Sequence, residues 1–101
     1  MANSPYEQVY KLLRTIPAGR VTTYGSIGKK LGISPRYVGH ILHMNPDGAT
    51  NPCHRVVNSS GKVAEGYAFG GRGIQKNRLE EEGIVFKNET NLDLKKYFFQ
   101  P

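Results

Sequence analysis

Apolar residues recur at helical spacing early in the chain. Tyr6, Val9, Tyr10 and Leu13 fall on one face of a helix. Ser4 stands at the cap, Pro5 suits the first helical position, and Glu7 completes a capping box. Pro17 and Gly19 end that segment. Thr22 or Thr23 then caps a second helix running to about Leu31, and Gly32 supplies its left-handed stop. Ser34 and Pro35 start a third helix at once. It directs Val38, Ile41 and Leu42 inward and ends near Asn45-Pro46. Two short helices joined by a tight glycine turn predict a helix-turn-helix over about residues 23–45. Its second helix is the one that addresses DNA.

The later pattern is less regular. Residues 46–52, rich in Pro, Gly, Asn and Asp, read as a loop. Arg55 to Val57 reads as extended, and Asn58-Ser59-Ser60-Gly61 as a turn. Glycines at 66, 70, 71 and 73 surround Tyr67 and Phe69. A further helix is expected from Gly73 to Glu82, stopped by Gly83. Ile84 to Phe86 reads as extended. A last turn or two within residues 92–99 is expected to close Leu94, Tyr97 and Phe98 over the core. The expected fold is α+β and mainly helical: one small winged-helix-like domain over residues 1–101, with no extra N-terminal domain.

Charge narrows the partner. Fourteen Lys and Arg against eight Asp and Glu give net +6 over 101 residues, a bias toward a polyanion. No run approaches the ~20 apolar residues of a membrane span, and no basic start precedes an apolar stretch, so neither membrane insertion nor secretion is expected. A cytoplasmic, nucleoid-associated protein is expected. No dimerisation segment is evident, so a monomer is expected too. The chain has one cysteine, which fits a reducing compartment.

That cysteine is either a small buried hydrophobe or a nucleophile. Its neighbours are Asn51-Pro52-Cys53-His54-Arg55-Val56-Val57. A thiol attacks carbon as thiolate, so it needs a base or nearby positive charge. His54 is the candidate base, acting through a water if the two side chains diverge. Glu82 is the candidate carboxylate to orient the imidazole, with Glu80 and Glu81 behind it. Spacing alone leaves a structural cysteine open. His40 and His43, with Cys53 and His54, match no usual zinc spacing. No metal is expected, and these two histidines are expected to face phosphates or solvent.

Pro52-Cys53-His54-Arg55-Val56-Val57 resembles the active-site motif of the O6-alkylguanine-DNA alkyltransferases. The resemblance runs over roughly residues 5 to 87. Ile16-Pro17-Ala18-Gly19-Arg20-Val21-Thr22-Thr23-Tyr24 resembles the family's entry into its helix-turn-helix. Arg36-Tyr37-Val38-Gly39, followed by Asn45-Pro46, resembles its recognition helix and asparagine hinge. Gly66-Tyr67-Ala68-Phe69-Gly70 resembles its substrate-pocket loop, and Leu79 to Gly83 the helix end bearing its glutamate.

The resemblance implies roles. Cys53 accepts the alkyl group, His54 is the base through water, Glu82 orients it, and Asn45 braces the hinge. Arg36 enters the base stack, and Tyr24 presses on the backbone phosphate. Gly39 and Arg55 join them at the DNA. Tyr67 and the backbone at Val56 line the pocket. An O6-alkyl carbon is out of reach inside a duplex, so the base must leave the stack. A side chain filling the gap recovers part of the cost. The implied partner is double-stranded DNA carrying O6-alkylguanine, with downstream repair proteins beyond it. The implied reaction is one irreversible transfer per molecule, and it needs no cofactor because the protein is the acceptor.

Many members carry an additional N-terminal domain. Short members often belong to an alkyltransferase-like branch, which flips the lesion without transfer and typically has Trp at the acceptor position. This chain joins the short length of that branch to the cysteine of the active one. A lesion sensor is therefore the alternative to a transferase, and an ordinary helix-turn-helix regulator with a buried cysteine is a third reading.

Overall fold

The structure, a computed structural model, describes residues 4–64, 67 and 70–101, with only the backbone at residue 72. In chain order these form α1 (Pro5–Leu13), β1 (Thr22–Thr23), α2 (Tyr24–Leu31) and α3 (Pro35–His43). A 3-10 turn (Cys53–Arg55), β2 (Val56–Val57), α4 (Gly71–Glu81) and α5 (Leu94–Tyr97) follow. The fold is α+β and mainly helical, as expected.

Side-chain caps set the first three helix starts. Ser4 Oγ accepts from Glu7 N–H at 3.2 Å, Thr23 Oγ1 from Ser26 N–H at 3.1 Å, and Ser34 Oγ from Tyr37 N–H at 3.1 Å. Each cap satisfies an N–H that has no partner within its helix. Gly32 takes the left-handed conformation, φ 73°, between α2 and α3. The turn is tight: a Cβ at Gly28 would lie 2.5 Å from the Ile33 carbonyl oxygen. Tyr10 hydroxyl donates to the Ile41 carbonyl at 2.9 Å and ties α1 to α3.

β1 and β2 pair in parallel, Thr22 with Val56 and Thr23 with Val57. Side chains alternate across a strand, so β2 divides the core. Val56 joins Val9, Leu13, Ile27, Val38 and Ile41 under the helix-turn-helix. Val57 joins Val21, Val63, Leu79, Leu92 and Tyr97 in a second cluster. The C-terminal segment flanks β1: Val21 N–H donates to Tyr97 O at 2.9 Å, and Phe99 N–H to Val21 O at 2.7 Å.

Four expectations change. Extended backbone begins at Val56, because Val56 N–H closes a turn onto the Cys53 carbonyl and holds Arg55 inside it. α4 begins at Gly71, after Gly70 at φ 128°. The stretch 84–86 contributes an isolated antiparallel bridge, Phe86 with Leu92. Phe99, rather than Phe98, packs against the first cluster. No described helix is long and apolar enough to cross a membrane.

Candidate active site

Cys53 opens the 3-10 turn, where its N–H donates to the Asn51 carbonyl at 2.7 Å. Its side chain is 4% exposed. It nevertheless walls a cavity of about 40 Å³, with Tyr24, Gly39, Leu42, His43, Ala64 and Tyr67 among the described residues. That is room for about one water, so a purine enters only if the wall gives way. Burial pushes the thiol up, while hydrogen bonds from Asn45 and Tyr67 and the charge of Arg78 pull it back in part. The Tyr67 phenol is pushed up to about 12, first by burial and then by the sulfur's charge. It is therefore a proton donor at neutral pH.

His54 is 6% exposed. Its Nε2 lies 2.9 Å from Glu82 Oε2, and its buried Nδ1 has no hydrogen-bond partner among the described residues. With Nε2 committed to a carboxylate acceptor, Nδ1 is the nitrogen left to receive a proton. Burial lowers the imidazole's pKa, against the pull of Glu82. The ring is thus neutral, the form a base needs.

Glu82 follows the last residue of α4. Burial would raise its pKa, but hydrogen bonds from Arg55 and His54 outweigh it and hold the carboxyl down. Arg55 binds it twice over, Nε to Oε1 at 3.0 Å and Nη2 to Oε2 at 2.6 Å, and Nη1 donates to the Ile16 carbonyl at 2.8 Å. The guanidinium is turned inward. Arg55 thereby belongs to the frame around Glu82.

Asn45 joins α3 to the turn. Its Nδ2 donates to Asn51 O at 2.8 Å, and its Oδ1 accepts from Asp47 N–H and Asn51 Nδ2, both at 3.2 Å. Arg14 Nη1 donates to Asn51 Oδ1 at 2.6 Å. Gln75 holds the other side. It is 1% exposed, donates to the carbonyls of His54 and Val56 at 3.0 and 2.9 Å, and accepts from Ala64 N–H at 2.8 Å. Sequence reading missed Gln75, although a glutamine four residues before buried Leu79 sits on the inner face of α4.

The remaining expected residues lie in different places. Tyr24 and Gly39 line the cavity with Cys53. Arg36 is exposed in the first turn of α3, where a cation opposes the helix dipole. The Val56 side chain is in the core and outside the cavity lining. His40 and His43 are both exposed; His40 also stacks on Tyr37 and meets Tyr6 edge-on, and His43 reaches the cavity lining. Tyr67 is placed beside the sulfur, but Gly66, Ala68 and Phe69 lie outside the described residues. Among the described residues, no three His, Cys, Asp or Glu side chains could hold a metal ion.

Similarity to known proteins bears on this arrangement. A family model described as "6-O-methylguanine DNA methyltransferase, DNA binding domain" matches residues 4–84. A DNA base-flipping protein of Vibrio parahaemolyticus is 39% identical, over 93% of this chain and 94% of its own length. A crystal structure of the Schizosaccharomyces pombe alkyltransferase-like protein 1, with damaged DNA containing O6-carboxymethylguanine, superposes with a TM-score of 0.82. It is 36% identical and covers 95% of this chain and 94% of that one. A methylated-DNA–protein-cysteine methyltransferase of Metallosphaera sedula is 42% identical over 84% of this chain, which spans 53% of its length.

Proposed function

The chain belongs to the 6-O-methylguanine DNA methyltransferase family, and we propose that it binds duplex DNA, turns out an O6-alkylguanine and takes the alkyl group onto Cys53. One observation carries the reading: the sulfur walls a cavity whose rim is built from Tyr24 and Gly39 of the helix-turn-helix. A base extruded against that motif arrives at the nucleophile.

The chemistry follows from the site. His54 Nδ1 takes the thiol proton through a water, and Glu82 stabilises the resulting imidazolium through Nε2. The sulfur bonds to the alkyl carbon, the carbon–O6 bond breaks with its electron pair on O6, and guanine recovers one proton. Thiol and alkylguanine thus become thioether and guanine. Arg36, exposed at the start of α3, fills the gap in the stack. Asn45 and Gln75 hold the turn that presents Cys53. A thioether has no route back to thiol here, so each molecule acts once.

A second reading has its own support. Two relatives that match over nearly their whole length are a base-flipping and an alkyltransferase-like protein, and burial of Cys53 disfavours the thiolate. On that reading the protein binds the lesion and Cys53 stays unmodified.

The test is mass spectrometry of the protein after incubation with a duplex holding one O6-methylguanine. One added methyl group on the Cys53 peptide, absent in Cys53→Ala, is expected. Tight, lesion-selective binding with an unmodified Cys53 favours the sensor. Loss of lesion selectivity refutes both.

A further inference from the structure

An open groove of about 900 Å³ lies beside the Cys53 cavity. Both draw on the start of α2, where Tyr24 lines the cavity and Thr23 and Ser26 line the groove. Ser59, from the turn after β2, adds a hydroxyl, while that of Ser60 donates to Asn58 Oδ1 at 2.8 Å. The rest of the lining comes from beyond residue 84, where the family model ends. Leu94 and Phe98 give it apolar surface, and Lys87 and Lys95 give it charge. Both lysines are exposed, and neither is ion-paired among the described residues. Asp93 also lines the groove, but one carboxylate oxygen is engaged by Lys95 N–H in capping α5, and the lining still carries net positive charge.

We propose that this groove carries the sugar-phosphate backbone of the DNA strand where it leaves the lesion site. The inference rests on the lesion-binding function proposed above and extends its footprint onto the C-terminal segment. Hydroxyls and lysines are the side chains that contact phosphate, and the apolar patch suits the face of a deoxyribose. Continuity decides the occupant. A strand held at Tyr24 passes next over Thr23 and Ser26, and from there the charge it meets among the described lining residues, besides Asp93, is that of Lys87 and Lys95. The contact is independent of base sequence, so it adds affinity without adding preference for the lesion.

Salt dependence reads this directly. Each phosphate neutralised steepens the fall of log K with log salt by about 0.9 on duplex DNA. The double variant Lys87→Ala/Lys95→Ala is titrated by fluorescence anisotropy from 50 to about 300 mM salt, a range chosen to span the usual loss. Duplexes with and without one O6-methylguanine are compared. The slope is expected to fall by about one per lysine, with affinity for both duplexes reduced by the same factor. Ser59→Asp, which puts a negative charge into the same groove, is expected to weaken both duplexes again. A slope equal to that of the unsubstituted protein overturns the groove, even where lesion preference persists. An unsubstituted protein that does not prefer the lesion overturns the proposed function instead, and the slope still reports on the groove. An acidic peptide that competes for the groove while the slope stays unchanged assigns it to a protein partner and overturns the proposal.

Discussion

At Glu82 two demands meet. A carboxylate at a helix C-terminus is opposed by the helix dipole, and here Arg55 offsets that cost with paired hydrogen bonds. The other service of Glu82 is to His54. Glu82→Gln keeps the shape and removes the charge, so the imidazolium that the proposed transfer would form loses its partner. Single-turnover methyl transfer is expected to slow by roughly 10²-fold, within the usual range for general acid–base steps. The pH dependence of stability has a definite sign. His54 and Glu82 both bind protons more weakly in the folded protein. Each contributes stability that is complete above its ordinary value, about 6.5 for His and about 4.3 for Glu. That stability is lost as pH falls toward the folded value. Thermal melts should therefore weaken in acid, first below about pH 6.5, and Glu82→Gln should lack the carboxylate's share. A melting temperature that climbs on acidification would contradict both assignments. Gln75→Leu strands two carbonyls and one N–H in the interior. It is expected to cost about 3 kcal/mol in urea unfolding, with transfer slowed in the molecules that remain folded.

Among the elements, the glycines of the helix-turn-helix separate fold from function. Gly28 is required by the fold, since a Cβ there would meet the Ile33 carbonyl at 2.5 Å. Gly28→Ala is expected to destabilise by about 1–3 kcal/mol as the turn is forced apart. Gly39 has nothing within 4 Å of a Cβ, yet it sits inside α3, where glycine costs about 1 kcal/mol relative to alanine. The fold gives no reason for it, and the proposed DNA contact would supply one from outside α3. Gly39→Ala should raise the melting temperature by a few degrees and weaken binding of the lesion duplex; a variant that gains stability and binds as before would remove Gly39 from the interface. The same elements show what the chain made readable. Caps at Ser4, Thr23 and Ser34 link residues three apart, so the first three helices could be read in order. The pairing of Thr22 with Val56 joins distant segments without an alternating pattern long enough to announce a strand. Cys53 and His54 stand in one motif and are legible as candidates, although spacing alone leaves a structural cysteine open. The inward turn of Arg55 depends on Glu82 and on the Ile16 carbonyl, neither of which is near it in sequence.

At the scale of the whole molecule, the C-terminal segment is part of the folding unit. Leu92 and Tyr97 are buried in the second core cluster. The Tyr97 hydroxyl accepts from Val85 N–H at 3.0 Å, and the backbone at 97 and 99 bonds to Val21 beside β1. Removing residues 91–101 exposes two large side chains' worth of core, at about 1.5–3 kcal/mol each, and two backbone bonds at about 1 kcal/mol each. The sum is about 5 kcal/mol or more, comparable with the entire stability of many small domains. The truncated chain is expected to lose its cooperative melt by circular dichroism, although the family match ends at residue 84. Tyr97→Phe, which keeps the ring and drops the hydroxyl, should melt cooperatively with a loss of about 1 kcal/mol. A truncated chain that melts like the intact one would show that the helix-turn-helix cluster folds without the second. The contrast matters for the groove, because Lys87 and Lys95 stand on the segment that closes this core. Truncation would remove charge and fold together, whereas the exposed lysines can be neutralised while Leu92 and Tyr97 stay in place. The lysine substitutions, unlike the truncation, can assign a loss of DNA affinity to the groove.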